Sequence, residues 1–162
     1  MKVLIAYAGK YGSTETCALQ LSKLLDGEVT MDNLADQSHF RAEDFDLVII
    51  GSNIRFGRID KRVKRFVVEQ EKQIKACALF LTAGLQDYKE QYIKDNFSKE
   101  LLGKTFVTEC FGGKVSNAVG FDRLIVQLVA NKCPDEISYG KIEQFAQAVN
   151  RAELKEVADE NL

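Results

Sequence analysis

The chain has 162 residues, of which 46% are hydrophobic and 28% charged, with a formal net charge of −2. That suffices for one globular domain with a full core, and the charge leaves no general nucleic-acid footprint. The apolar runs fall well short of the roughly 20 residues that a membrane-spanning helix needs.

KVLIAYA (2–8) is a continuous apolar run, the pattern of a strand buried on both faces. The opening MKVLIAYAG has the lysine and apolar run of a signal peptide, but no small-residue cleavage site closes it, so a strand is expected. Residues 13–26 put Cys17, Leu21, Leu24 and Leu25 on one helical stripe, with Gly27 as the stop. EVTM (28–31) reads as a short strand, and the polar connector DNLADQSHFRAEDF has room for one helical turn. DLVIIGS (46–52) is a second strongly buried strand, after which Asp60 can cap a helix with Val63, Phe66 and Val67 inward. ACALFLTAG (76–84) is a further buried strand. Residues 88–102 read as one helix with Tyr92, Ile93 and Phe97 inward, ended by Gly103, and KTFVTECFG (104–112) is the fifth strand. Two helices complete the pattern, FDRLIVQLVANK (121–132) and one around 140–152 with Ile142, Phe145, Ala146 and Val149 inward. The domain is expected to span 1–152, with a polar tail over 153–162.

Alternating strands and helices predict an α/β fold, a doubly wound three-layer sandwich around a five-stranded parallel sheet of order 2-1-3-4-5. Ligands in such sheets bind at the carboxyl ends of the strands, near the switch in strand order. Three loops are therefore singled out: 9–14, 52–59 and 84–88. The four cysteines, Cys17, Cys77, Cys110 and Cys133, form no CxxC pair and have no histidine nearby. They read as small buried hydrophobes in a reduced, cytoplasmic chain, with no metal site. The lone histidine, His39, sits in the polar connector and is expected to be exposed.

Fold alone does not choose the chemistry. A phosphate-accepting receiver domain needs acids where the first and third strands end in AYAGK and IIGSN, and none is there. A small tyrosine phosphatase needs a cysteine and an arginine in one anion loop, and neither Cys17 nor Cys110 supplies it. A Walker loop needs its lysine after the last glycine, but Lys10 precedes Gly12. A dinucleotide fingerprint lacks one glycine here, although Asp32 stands where a ribose-binding acid could sit. One terminal phosphate remains, met by backbone N–H groups at a helix N-terminus and by neutral hydroxyls. AYAGKYGSTET (6–16) offers both; the competing reading is that Ser13 and Thr14 only cap the helix.

AYAGKYGSTETCA resembles the phosphate loop of the flavodoxin family. DLVIIGSNIRFGRIDKRVKRFV (46–67) and GFDRLIVQLVANK (120–132) look like the bacterial flavodoxin-type, menaquinone-dependent protoporphyrinogen IX dehydrogenases. The resemblance covers about residues 2–150 and implies one FMN, bound without covalent attachment. Carried across, the phosphate would meet Lys10, Tyr11, Gly12, Ser13 and Thr14. The flavin ring would lie between Ser52, Asn53, Ile54, Arg55, Phe56 and Gly57 on one side and Ala83, Gly84, Leu85, Gln86, Asp87 and Tyr88 on the other. No side chain is singled out as an acid–base catalyst, since the flavin carries the reaction. Ala8 and Gly9 depart from the family, whose members commonly have a hydroxyl residue there, and the chain has no tryptophan to stack on the ring.

Carrier flavodoxins usually show an acidic surface around the flavin. Here Arg55, Arg58, Lys61, Arg62, Lys64 and Arg65 face one acid, Asp60. That run is either a solvated helix face or, at Arg55 and Arg58, a site for an anion such as a porphyrinogen or an acidic protein. Phe121, Leu124, Ile125, Leu128 and Val129 form a wide apolar face that reads as core or, in the alternative, as a surface helix meeting a membrane and its quinone. The segment 86–102 lacks the longer basic stretch of the quinone-dependent enzymes. The sequence thus points to an FMN-dependent redox protein of the protoporphyrinogen dehydrogenase type in haem biosynthesis, whose electron partner is a protein or a quinone, with at most peripheral membrane contact. The alternatives are a flavodoxin acting as a single-electron carrier and a flavin-free interaction module.

Overall fold

The computed structural model describes residues 1–35, 40–114, 116, 118–129 and 134–160. His39, Cys133 and residues 130–132 of the predicted FDRLIVQLVANK helix lie outside the described residues. In chain order the elements are β1 (Lys2–Ala8), α1 (Ser13–Ser22), β2 (Glu28–Asn33), β3 (Leu47–Arg55), β4 (Arg58–Ile59), α2 (Lys61–Gln70), β5 (Ala76–Thr82), α3 (Lys89–Asn96), α4 (Lys99–Gly103), β6 (Thr105–Cys110), β7 (Gly112–Gly113), α5 (Gly120–Val129), β8 (Glu136–Ile137) and α6 (Tyr139–Glu160). The parallel sheet runs β2-β1-β3-β5-β6, the doubly wound order expected from the alternating pattern. Two short antiparallel additions were not predicted: β4 folds back on β3, and β7 pairs with β8.

The side-chain period of two sorts each central strand into two cores. Leu4, Ala6 and Ala8 of β1, Val48 and Ile50 of β3, and Leu79 and Leu81 of β5 pack with Val63, Phe66 and Val67 of α2 and with Ile93 and Leu101. Val3, Ile5, Leu47, Ile49 and Phe80 pack on the opposite face with Cys17 and Leu21 of α1 and with Ile142, Phe145, Ala146 and Val149 of α6. These are the inward stripes read from the sequence. Asp60 caps α2 as expected, accepting the Arg62 backbone N–H at 2.9 Å.

The predicted helix over 88–102 is two helices. Phe97 is extended between them, and the Ser98 hydroxyl accepts the Leu101 N–H at 3.0 Å, restarting the helix as α4. The break follows Asn96, whose amide donates to the carbonyls of Gly57 at 2.9 Å and Tyr92 at 2.8 Å while its oxygen accepts the Ile59 N–H at 3.1 Å. Those bonds tie the end of α3 to the β3–β4 turn. The last helix runs on through Glu160, past the predicted end at 152. AELKEVADE contains no glycine or proline to stop it. No helix among the described residues is long and apolar enough to cross a membrane.

Cys17, Cys77 and Cys110 are free and buried. Burial pushes the Cys17 and Cys77 thiols up to about 12 and raises that of Cys110. Little thiolate therefore exists at neutral pH. A Cys133→Ser chain is expected to leave all three thiols unreactive to a thiol-specific chromophore while folded and to release them together in denaturant. Reaction at pH 7 in the folded state would contradict their placement in the core.

Candidate functional site

The carboxyl ends of β1, β3 and β5 open into a cleft of about 280 Å³. Tyr11, Ser13 and Thr14 form one end, the β3–β4 hairpin one wall, and Thr82 to Leu85 the other. Tyr92, Gly113, Lys114, Ala118 and three residues of α5, Asp122, Ile125 and Val126, complete it.

At the first end the chain leaves β1 and enters α1 through Gly12, which is left-handed at φ 86°. Gly12 itself is the cap position, and no side chain caps the helix. Ser13 and Thr14 are therefore the first helical residues, and the capping alternative falls. The Thr14 hydroxyl instead lies 2.8 Å from that of Thr82, with both side chains buried. The Ser13 hydroxyl accepts the Lys114 N–H at 3.0 Å, which leaves its proton to donate elsewhere. The first N–H groups of a helix lack partners within the helix and carry the positive end of its dipole, so this end of the cleft suits an anion.

Gly9 has a steric purpose. A Cβ there would lie 2.4 Å from Thr14 Oγ1, so the glycine leaves the space in which Thr14 reaches Thr82. The hydroxyl missing at position 9 is answered by Thr14 filling the same volume.

The second wall is a two-residue hairpin. Ile54 pairs with Ile59 and Arg55 with Arg58, while Phe56 and Gly57 turn the chain with φ of 51° and 74°. Consecutive left-handed residues make the turn whose twist matches a hairpin. Phe56 is the sole non-glycine residue with positive φ among the described residues. Its ring is 56% exposed, lies under the Arg55 guanidinium at 4.7 Å, and meets Phe121 with ring centroids 6.4 Å apart. Asn53 Oδ1 is buried with no hydrogen-bond partner in this wall, an acceptor that calls for a donor from outside the chain.

Of the residues singled out in the sequence, Tyr11, Ser13, Thr14, Asn53, Ile54, Arg55, Phe56, Gly57, Ala83, Gly84 and Leu85 line the cleft. Lys10, Gly12, Ser52, Gln86, Asp87 and Tyr88 do not. The Ser52 hydroxyl is buried, donating to the Asn53 carbonyl and accepting the Asp60 N–H at 2.9 Å. Gln86 accepts from Lys141 at 2.9 Å, and Tyr88 is 56% exposed, its ring 6.2 Å from that of Tyr92.

The sequence did not reveal Asp122. It is buried at 7% exposure and accepts from Lys10 Nζ at 2.9 Å, from the Tyr11 hydroxyl, and from Arg55 through Nε at 2.8 and 2.9 Å and Nη2 at 2.6 Å. Arg55, then Lys10 and Tyr11, hold its carboxyl well below the usual carboxylate range. The same bond raises Lys10 above its ordinary 10.5. The depressed acid contributes its stability above the unfolded carboxylate pKa and loses it as pH falls through the folded value. The raised lysine contributes below 10.5 and loses it as pH climbs through its folded value. The cluster is therefore expected to keep its charges from about pH 5 to about pH 10, so a pH series of unfolding in that window detects no titration of it.

The α5 stripe had two readings, core or surface helix, and the core reading fails for three of its residues: Phe121, Leu124 and Leu128 are 68%, 59% and 85% exposed, while Asp122 turns inward with Ile125 and Val126. Rotating the helix to bury the apolar residues would break the bonds that converge on that carboxylate.

Residues 4–138 match the family described as Flavodoxin domain. The chain belongs to that family. A relative of this flavodoxin-family chain, an uncharacterized protein of Methanocaldococcus jannaschii, is 28% identical over 156 residues, covering 92% of this chain and 98% of its own. Among solved structures, the rubredoxin:oxygen oxidoreductase of Desulfovibrio gigas aligns with a TM-score of 0.63 at 18% identity, over 97% of this chain. The chain spans only 37% of that oxidoreductase. A flavoprotein of Lactobacillus acidophilus, solved in complex with FMN, aligns with a TM-score of 0.56 at 15% identity, covering 67% of this chain and 92% of that one. At such identities the likeness of structure bears on the fold alone.

Proposed function

We propose that the chain binds FMN in this cleft and works as a flavodoxin-like redox protein. One observation carries the reading: the cleft joins an uncapped helix N-terminus, fit for a phosphate, to largely apolar walls in which Asn53 Oδ1 lacks a donor. Bound FMN supplies one- and two-electron chemistry. The chain's own part is to bind and exclude water. The backbone at Tyr11 to Thr14 and the Ser13 hydroxyl would hold the phosphate. Ile54, Phe56, Leu85 and Tyr92 would enclose the ring, and Asn53 Oδ1 would accept from it. Lys10 is not needed for the phosphate, because its ammonium is already on Asp122. Titration of the purified chain with FMN is expected to quench flavin fluorescence and shift the visible spectrum; no change at micromolar flavin defeats the reading.

For the finer activity we propose a quinone-linked dehydrogenase of the protoporphyrinogen type. What supports it is the resemblance over 51–57 and 120–132, together with the basic hairpin and α2. Arg55 is committed to Asp122, so an anionic substrate or acidic partner would be met chiefly by the exposed Arg58 and by Lys61, Lys64 and Arg65 of α2. The bare Phe121, Leu124 and Leu128 support a peripheral contact with a membrane and its quinone. The second reading is a single-electron carrier, favoured by the compact segment between β5 and β6. Porphyrin fluorescence appearing faster when the FMN-loaded chain meets protoporphyrinogen and a menaquinone analogue supports the dehydrogenase; an unchanged rate favours the carrier. Loss of the flavin altogether would leave an interaction module, and the FMN titration decides that.

A further inference from the structure

We infer that Asp122 is a positioning residue that clasps α5 over the cleft, and that release of this clasp, without unfolding of the domain, opens the cleft to its ligand. The flavin part of this inference rests on the proposed function; the clasp itself is a property of the ligand-free chain.

Among residues 120–128, Asp122 is the one that is buried. Neither hydrophobic core contains any of residues 120–128. The helix is thus not held by the packing that holds the other long helices. Its seat is a carboxylate gripped by donors from two separate loops: Lys10 and Tyr11 from the turn after β1, and Arg55 from the hairpin after β3. The fork of Arg55 spans both carboxylate oxygens, which fixes the rotation of the helix as well as its position. One turn further on, Ile125 and Val126 form part of the cleft wall. The pinned residue and the covering residues lie at i, i+3 and i+4, on one face. A helix attached mainly through one charged cluster belongs to the low-stability end of the structure and opens by itself. The Lys10 and Arg55 side chains are each 46% exposed, so salt reaches the cluster and weakens it.

Hydrogen exchange of the amides of 118–129 in the full ligand-free chain tests the clasp. Asp122→Asn keeps the shape and removes the charge, and it is expected to speed exchange there about tenfold while the amides of β1, β3 and β5 are unchanged. Lys64→Gln, a change of charge on exposed α2, is expected to leave 118–129 as in the wild type. Raising salt to about 1 M is expected to speed exchange of these amides in the wild type but not in Asp122→Asn. With FMN loaded, flavin release, followed as recovered fluorescence on dilution, is expected to rise about tenfold in Asp122→Asn. Equal exchange in wild type and Asp122→Asn overturns the clasp. Faster exchange with unchanged flavin release overturns its guarding of the cleft. Failure of FMN to bind overturns the proposed function instead, and the exchange experiment still decides the clasp.

Discussion

Gly51→Ala is expected to remove about 3 kcal/mol of folding stability, seen as a lower urea midpoint at an unchanged slope. Gly51 sits in β3 with Tyr7 of β1 beside it on one edge and Phe80 of β5 on the other. A Cβ at this position would lie 2.1 Å from Phe80 Cζ and 2.4 Å from Cε1. A flexible side chain could swing away, but this ring cannot. Phe80 is fully buried and stacked on Phe111 with centroids 5.1 Å apart, and Phe111 in turn meets Phe145 edge-on at 5.4 Å. Moving the Phe80 ring pushes two more. The alanine does restrict the unfolded chain, but that gain, about 0.4–1 kcal/mol, is smaller than the cost of overpacking. Shrinking the partner should relieve the clash: adding Gly51→Ala to a Phe80→Leu chain is expected to cost at least about 1 kcal/mol less than adding it to the wild type. A cost within about 0.5 kcal/mol of zero for the single variant would contradict the packing described. If the single variant does not fold, an undiminished cost in the Phe80→Leu background does the same.

Gly51 also shows what the sequence could and could not reveal. The strand DLVIIGS was plain from its continuous apolar run, as were KVLIAYA and ACALFLTAG, because strands buried on both faces need no alternation. Their order followed from the alternation with helices. That Gly51 must be a glycine depends on which ring crosses it from the neighbouring strand, and no local pattern carries that. The same divide runs through the cleft. Its loops were identifiable because strand ends in a doubly wound sheet are where ligands sit. The hairpin within one of them was obscured because its turn uses Phe56, a poor residue for positive φ, where asparagine or glycine would have announced it. Asp122 was hidden for a different reason. Its partners stand 112, 111 and 67 residues away, and an acid on an amphipathic helix ordinarily reads as solvated. One clue was present. Asp122 precedes Ile125 and Val126 by three and four residues, so a helix that buries those two turns the acid inward as well. The apolar stripe of Phe121, Leu124 and Leu128 was the more conspicuous pattern, and of its two readings, core and surface helix, their exposure fits the second.

Gly9→Ala is expected to weaken FMN binding by about 10- to 100-fold, roughly 1.4–2.8 kcal/mol, and to do so in a chain that still folds. The new Cβ would fall 2.4 Å from Thr14 Oγ1 and 2.8 Å from Thr14 Cβ. Thr14 is 1% exposed and bonded to Thr82 across the top of the sheet, so it cannot swing away without giving up that bond. Relief must come from moving the turn of residues 9–12 or the first turn of α1. Either shift displaces the backbone N–H groups that would face the phosphate, and such groups act only in alignment. The core below is untouched, so stability is expected to fall by no more than about 2 kcal/mol, the cost of one unfavourable contact. Gly12→Ala is the informative comparison. A Cβ at Gly12 meets nothing within 4 Å, so its cost comes only from the left-handed backbone at φ +86°, about 1–2 kcal/mol. If crowding of Thr14 governs the site, alanine at position 9 harms FMN affinity more than folding, whereas alanine at position 12 harms folding at least as much as affinity. An FMN dissociation constant for Gly9→Ala within about threefold of the wild type would mean that Thr14 can retreat freely, and that Gly9 is not what shapes the phosphate end of the cleft.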